Sequence, residues 1–282
     1  MSPRRRGVLV SLLALLAAGA VVVPTAEAAG TQYVAMGSSF AAGPGIPSAQ
    51  PGSPPACARS DHNYPSLVAA RLGLPLTDVS CSGATTANVL DTAQAGQPPQ
   101  IQAVGADTRV VTATIGGNDV NYLGSLDTYS CQNSGGTNCG TVDQGAINAN
   151  FDDLRRRLEN VANAVHQRAP QAKMIFVEYF TIVPPGGACN GVPLTGDQLV
   201  FERSIATRLS DFTRAAATNT GSTVVQLADA SQGHDSCAAA PWVEKYTAPP
   251  GRSSYHPNEA GMAAAASLVE TAFGVAGVTA RS

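Results

Sequence analysis

Aromatic residues are scarce in this chain: they make up 5% of it, with one tryptophan, Trp242. Charge is thin as well, with Asp, Glu, Lys and Arg together at 13% and a formal net charge of −3. The basic residues are scattered, and there is no basic stripe or patch of the kind that nucleic acid requires. No Cys-x-x-Cys pair and no Cys/His cluster is present, which speaks against a structural zinc site. Beyond the N-terminal region, no run is long and apolar enough to span a bilayer, so stable membrane insertion is not expected. What is abundant is alanine, glycine and small polar residues, a composition suited to a loop-rich globular chain.

The N-terminus has its own grammar. Arg4, Arg5 and Arg6 form a basic cluster, and an apolar run follows from Val8 to Val23. Ala26-Glu27-Ala28 then presents small residues flanking a variable one. That order marks a secretory signal peptide, with residues 1–28 removed and residues 29–282 forming the mature domain. The expected location is extracellular. In that oxidising compartment the six cysteines, Cys57, Cys81, Cys131, Cys139, Cys189 and Cys237, are expected to form disulfides. Cys131 and Cys139 flank Gly135 and Gly136 in a polar stretch, which makes a local bridge plausible; sequence alone leaves the overall connectivity open.

Strand-like and helix-like patterns alternate along the mature chain. Tyr33–Met36, Arg109–Ile115, Lys173–Phe180 and Ser222–Leu227 read as buried strands. Helical patterns run over Asn63–Leu72, Asn148–Gln167, Thr195–Ala217 and Pro257–Phe273. The second of these carries Phe151, Leu154, Leu158, Val161 and Val165 on one face. Strands separated by helices predict a mostly parallel sheet covered on both faces, a three-layer α/β/α sandwich.

Functional residues on such sheets gather where strands end. Gly37-Ser38-Ser39-Phe40 follows the first strand, Gly116-Gly117-Asn118-Asp119 follows the second, and Ser254-Tyr255-His256-Pro257-Asn258 precedes the last helix. Taken singly, each is ordinary: serine after glycine is common in loops, Asp119 suits a local cap, Pro257 suits a first helical turn, and a lone histidine is more often structural. His62, His166 and the His234-Asp235 pair also take plain readings as surface, helix-end and disulfide-loop residues. The combination and order of the three clusters change the picture.

Together they resemble the SGNH (GDSL-like) hydrolase family. Gly37-Ser38-Ser39-Phe40 is similar to the family's Gly-Asp-Ser-Leu block, Ser82-Gly83 to its second block, Gly116-Gly117-Asn118-Asp119 to its third and His256-Pro257-Asn258 to its last. The resemblance runs from Gln32 to Ala265 and looks strongest toward secreted actinobacterial esterases and lipases. It implies the flavodoxin-like version of the α/β/α fold and a serine ester hydrolase. Ser39 would be the nucleophile and His256 its base, with an oxyanion hole made by the backbone of Ser39 and Gly83 and the side chain of Asn118. It further implies sequential disulfides: Cys57–Cys81, Cys131–Cys139 and Cys189–Cys237.

Two departures stand out. The family's aspartate before the nucleophile is Ser38 here, and the aspartate expected three residues before the catalytic histidine is Ser253. The histidine still needs an acceptor for its Nδ1 proton. The Ser253 main-chain carbonyl is the expected acceptor, with Asp235 as the competing candidate. The implied chemistry is acyl transfer to water with no metal and no organic cofactor. The expected partner is a small-molecule or lipid ester, acted on by a monomer. A carbohydrate O-deacetylase and an inactive binding protein retaining the fold are the alternatives.

Overall fold

The computed structural model describes Met1 and residues 32–278. The leader peptide expected over residues 1–28 lies, Met1 apart, outside the described residues. Five strands form one all-parallel sheet in the order β2-β1-β3-β4-β5: β1 (Gln32–Gly37), β2 (Leu76–Asp78), β3 (Thr108–Thr114), β4 (Lys173–Val177) and β5 (Thr223–Val225). The strands are nearly continuous apolar runs because both faces are buried. In β1, Tyr33 to Met36 are inaccessible, and in β3 so are Val110, Val111 and Ala113.

Eight helices accompany the sheet among the described residues. They are α1 (Ser39–Ala42), α2 (Tyr64–Leu72), α3 (Thr86–Leu90), α4 (Tyr122–Asn133), α5 (Gln144–Arg168), α6 (Gly196–Thr220), α7 (Leu227–Ala230) and α8 (Glu259–Val275). Two pairs matter most. Helices α2 and α8 pack together, and Phe273 of α8 meets Tyr33 of β1 edge to face, with ring centroids 5.2 Å apart. Helices α5 and α6 form the other pair, closed over the sheet by Phe151, Leu154, Leu158, Val161 and Val165, all fully buried as the helical stripe predicts.

The sequence-based boundaries shift for identifiable reasons. Helix α5 starts earlier than expected because Asp143 caps it, its carboxylate accepting from the Ala146 N–H at 2.9 Å. Helix α8 starts at Glu259 rather than at Pro257, since the Asn258 side chain is the cap and accepts from the Gly261 N–H. Strand β4 stops at Val177; the next residue, Glu178, turns its carboxylate to the Arg214 guanidinium, 2.6 Å from Nε. Strand β2 and helix α4 carry no clear periodic signal. The first is a three-residue, half-buried edge. The second mixes polar and apolar residues along its length and owes its place to contacts with α6.

Disulfides join Cys57 to Cys81, Cys131 to Cys139 and Cys189 to Cys237. The first ties the loop after α1 to the loop after β2, and the third ties the loop after β4 to the loop after α7. No helix among the described residues is long and apolar enough to cross a membrane.

Candidate active site

Strand order reverses between β1 and β3: the chain steps from β1 out to β2, then back across to β3. At such a switch point the connections diverge to opposite sides and leave a crevice at the carboxyl ends of the strands. Gly37, the last residue of β1, pairs in register with Thr114, the last residue of β3. Ser39 and Asn118 therefore emerge on either side of that crevice.

Close packing shapes the turn that carries Ser39. Gly37 has φ +130°, and a Cβ there would lie 2.5 Å from the Thr114 carbonyl oxygen, so no other residue fits. The Gln100 side chain holds both ends of the same peptide: its Oε1 accepts from the Gly37 N–H at 2.7 Å and its Nε2 donates to the Gly37 carbonyl at 3.0 Å. Ser38 is turned inward and inaccessible. Ser39 begins α1 and is 7% exposed, enough to leave its hydroxyl at the surface of the crevice.

His256 arrives from the far end of the chain. Its Nε2 lies 2.8 Å from the Ser39 Oγ. Its Nδ1 lies 2.7 Å from the main-chain carbonyl oxygen of Ser254. The acceptor is thus not the Ser253 carbonyl, which is occupied by the His256 backbone N–H at 3.2 Å. The reason is local geometry: Tyr255 sits at φ +57°, a left-handed conformation costly for an aromatic residue, and the reversal turns the Ser254 carbonyl toward the ring. Burial of Tyr255 holds that conformation, with its hydroxyl 2.6 Å from the Ser130 Oγ of α4. Asp235 has no hydrogen bond to His256; its carboxylate accepts from the Cys237 N–H at 2.8 Å and shapes its own loop.

The histidine is strapped on its other flank. Its carbonyl accepts from the Glu244 N–H at 2.8 Å, and the Asn258 N–H donates to the Trp242 carbonyl at 3.0 Å. Phe40 covers the imidazole, with centroids 5.3 Å apart. Desolvation by this packing pulls the His256 pKa below its ordinary value; the Ser254 carbonyl, which favours the protonated ring, offsets this in part.

Asn118 and Gly83 lie on the loops after β3 and β2. The Asn118 Nδ2 donates to the Ala84 carbonyl at 2.8 Å, which uses one of its two hydrogens and leaves the other free. Gly83 is exposed beside it. The two loops are pinned together by Asp119, whose buried carboxylate accepts from the Thr86 N–H at 2.9 Å and from its hydroxyl, at the start of α3. The expected local cap at Asp119 is thus a cap on another element. A second clamp, the Cys57–Cys81 disulfide, sits two residues before Gly83. Among the described residues no group of His, Cys, Asp and Glu side chains is arranged to hold a metal ion.

A scan against family models matches residues 35–264 to the GDSL-like Lipase/Acylhydrolase family. The chain belongs to that family. It is a carboxylic ester hydrolase by this membership and by its relatives. Lipase 2 of Streptomyces coelicolor is 34% identical over 259 residues, covering 87% of this chain and 85% of the relative. Lipase of Streptomyces rimosus is 32% identical over 251 residues, covering 88% of each. Among solved structures, the extracellular lipase of Streptomyces rimosus superposes with a TM-score of 0.70 at 29% identity, covering 86% of this chain and 99% of that one. Phospholipase A1 of Streptomyces albidoflavus superposes with a TM-score of 0.69 at 25% identity over the same shares. The three-layer, all-parallel architecture is the fold that this GDSL hydrolase shares with them.

Sequence reasoning missed three contributors. The Ser254 carbonyl has no sequence signal, because a main-chain acceptor can come from any residue type. Gln100 lies in a polar, proline-rich stretch that reads as loop. Tyr179 looks like one more apolar strand residue, yet its hydroxyl reaches both the Ser38 side chain and the Gly117 N–H.

Proposed function

We propose that this chain is an exported serine hydrolase that cleaves lipid or short-chain acyl carboxylic esters through an acyl-enzyme on Ser39. The observation that carries this reading is the hydrogen-bonded series Ser39 Oγ, His256 Nε2, His256 Nδ1 and Ser254 O, with contacts of 2.8 Å and 2.7 Å. In it the imidazole is oriented by a neutral carbonyl rather than a carboxylate. The ring therefore keeps its proton on Nδ1 and presents Nε2 as a base.

His256 takes the Ser39 proton as the oxygen attacks the ester carbonyl. The developing oxyanion accepts hydrogen bonds from the Ser39 and Gly83 backbone N–H groups and from the free Asn118 amide hydrogen. The protonated His256 then donates to the departing alcohol. Water enters, the same histidine deprotonates it, and attack on the acyl-enzyme releases the acid and restores Ser39. Every step is served by groups of the protein itself, and none calls for a cofactor.

Export is supported by the leader-like pattern over residues 1–28 and by the three disulfides. An acyl ester substrate is supported by the relatives of Streptomyces coelicolor and Streptomyces rimosus, which are lipases. The test is a series of nitrophenyl esters of graded chain length, with phosphonate labelling and peptide mapping. Hydrolysis of acyl esters with the label on Ser39 is expected. Failure to hydrolyse any nitrophenyl ester, with acetate released only from an acetylated polysaccharide, would overturn the substrate class. A label on Ser38 or Ser254 would overturn the nucleophile.

A further inference from the structure

Ser39 and Asn118 belong to separate loops, and an oxyanion hole works only if both keep a fixed spacing. The sheet sets that spacing up to Gly37 and Thr114, where the ladder ends. Beyond the ladder, one side chain spans the gap. Tyr179, just past β4, is buried between the two turns. Its Oη lies 3.0 Å from the Gly117 backbone nitrogen and 2.9 Å from the Ser38 Oγ. The Ser38 Oγ is in turn 3.3 Å from the Thr114 carbonyl oxygen, which also accepts the Ser38 N–H at 2.9 Å.

The hydrogens in this chain have one consistent direction. An N–H can only donate, so Gly117 donates to Tyr179 Oη. A carbonyl can only accept, so Ser38 Oγ donates to Thr114. The tyrosine hydroxyl must then donate to Ser38. Each hydrogen is used once, and all the groups are buried. The tyrosine also packs its ring on Phe40, 4.7 Å between centroids, and leaves no space at Gly117, where a Cβ would lie 2.7 Å from the ring. Both the hydroxyl and the ring thus bear on the residues adjoining Ser39 and Asn118.

We infer that Tyr179 is a positioning residue for the ester hydrolysis, its hydroxyl locking the nucleophile turn at Ser38 to the oxyanion turn at Gly117. Its hydroxyl makes no hydrogen bond to Ser39 or His256 and acts through their neighbours. Ser38, where the family's usual aspartate is replaced, is the other half of the lock: a serine both accepts from the tyrosine and donates to Thr114, whereas an ionised aspartate can only accept. Burial keeps the tyrosine protonated, with its pKa pushed up to about 12, so the donor persists through the working range of pH.

The inference rests on the Ser39–His256 reading above, and the test separates the two. Tyr179→Phe removes one oxygen, keeps the ring and leaves the Gly117 N–H buried without a partner. The expected result is a fall in kcat of roughly 10- to 100-fold with KM within about twofold, because the Asn118 amide is needed most when charge develops. Ser38→Ala should lower kcat by a smaller factor. The double variant should fall no further than Tyr179→Phe alone, since both changes break the same chain of bonds. Circular dichroism and Tm show whether each variant is folded, and phosphonate labelling shows whether Ser39 is still reached. Parental kcat in folded Tyr179→Phe overturns the inference, and so do fully additive losses or a change confined to KM. If Tyr179→Phe does not fold, parental kcat in Ser38→Ala overturns it. An inactive and unlabelled parent enzyme would instead overturn the Ser39 reading.

Discussion

The imidazole of His256 rests on the main-chain carbonyl of Ser254, 2.7 Å from its Nδ1. Because the acceptor is backbone, the identity of the residue matters little. Ser254→Ala loses only the side-chain bond to the Tyr246 carbonyl and should retain kcat within about fivefold, by the modest worth of one such bond. Ser253→Ala and Asp235→Asn should do likewise, while His256→Ala should lose nearly all activity. Steady-state kinetics on the four variants check this, and a collapse in folded Asp235→Asn would reinstate a carboxylate-assisted triad.

With His256 as the proposed base, its depressed pKa should set the acid limb of the pH profile. The base must be neutral to accept the Ser39 proton, so activity is lost as pH falls through the folded pKa. That value lies below the ordinary histidine value of about 6.5 because burial outweighs the help from the Ser254 carbonyl. The acid break in kcat/KM should therefore have its midpoint below the ordinary histidine value of about 6.5. An acid break above pH about 7 would contradict the packing of Phe40 against the ring.

Asn118→Ala should leave folding nearly intact and lower turnover by roughly 100- to 1000-fold. The amide's contact with the Ala84 carbonyl places it, and in the proposed mechanism its second hydrogen meets charge that develops only in the transition state. A rise in KM at unchanged kcat would mean that Asn118 binds ground-state ester instead.

Removal of the Cys57–Cys81 bridge, as the double serine variant, should cost about 2–5 kcal/mol in stability. Activity should fall more than in the double variant of Cys131 and Cys139, whose bridge closes a local loop at the end of α4, whereas Cys81 lies two residues before Gly83. Urea unfolding beside kcat measurements separates the two effects. Equal kinetic losses in both variants would mean that the first bridge does not hold the oxyanion loop.

Glu202 of α6 is inaccessible, and neither of its carboxyl oxygens has a hydrogen-bond partner; the nearby Ser125 hydroxyl donates to the Tyr122 carbonyl instead. Burial pushes its pKa up to about 8. The folded state therefore holds this proton to higher pH than the unfolded chain. Stability from this group is full below its unfolded value near 4.3 and is lost as pH rises through about 8. Glu202→Gln should raise stability by about 1–3 kcal/mol at pH 8 and change little at pH 4. Denaturant midpoints at the two pH values decide it, and a destabilised variant at pH 8 would mean that the carboxylate has a partner.

Much of this protein was decided by local pattern. Apolar runs of strand length ending in Gly37 and Ile115 announce buried parallel strands, and the stripe from Phe151 to Val165 announces the helix that covers them. Blocks at Ser39, Gly83, Asn118 and His256 are legible because each pairs a chemical group with a strand-end or helix-start context. What the sequence by itself determined is therefore the layer architecture, the residue types available for chemistry and the turns that carry them. Only the tertiary structure decided how those turns meet. The strand order placed the crevice between β1 and β3; the left-handed Tyr255, held by its buried ring, selected the Ser254 carbonyl over that of Ser253. Tyr179 and Gln100 reach the turn that carries Ser39 from 141 and 63 positions away along the chain. Such contacts leave no periodic trace, because a hydrogen bond across the fold depends on where two backbones come to lie and not on the spacing of either residue along its own segment.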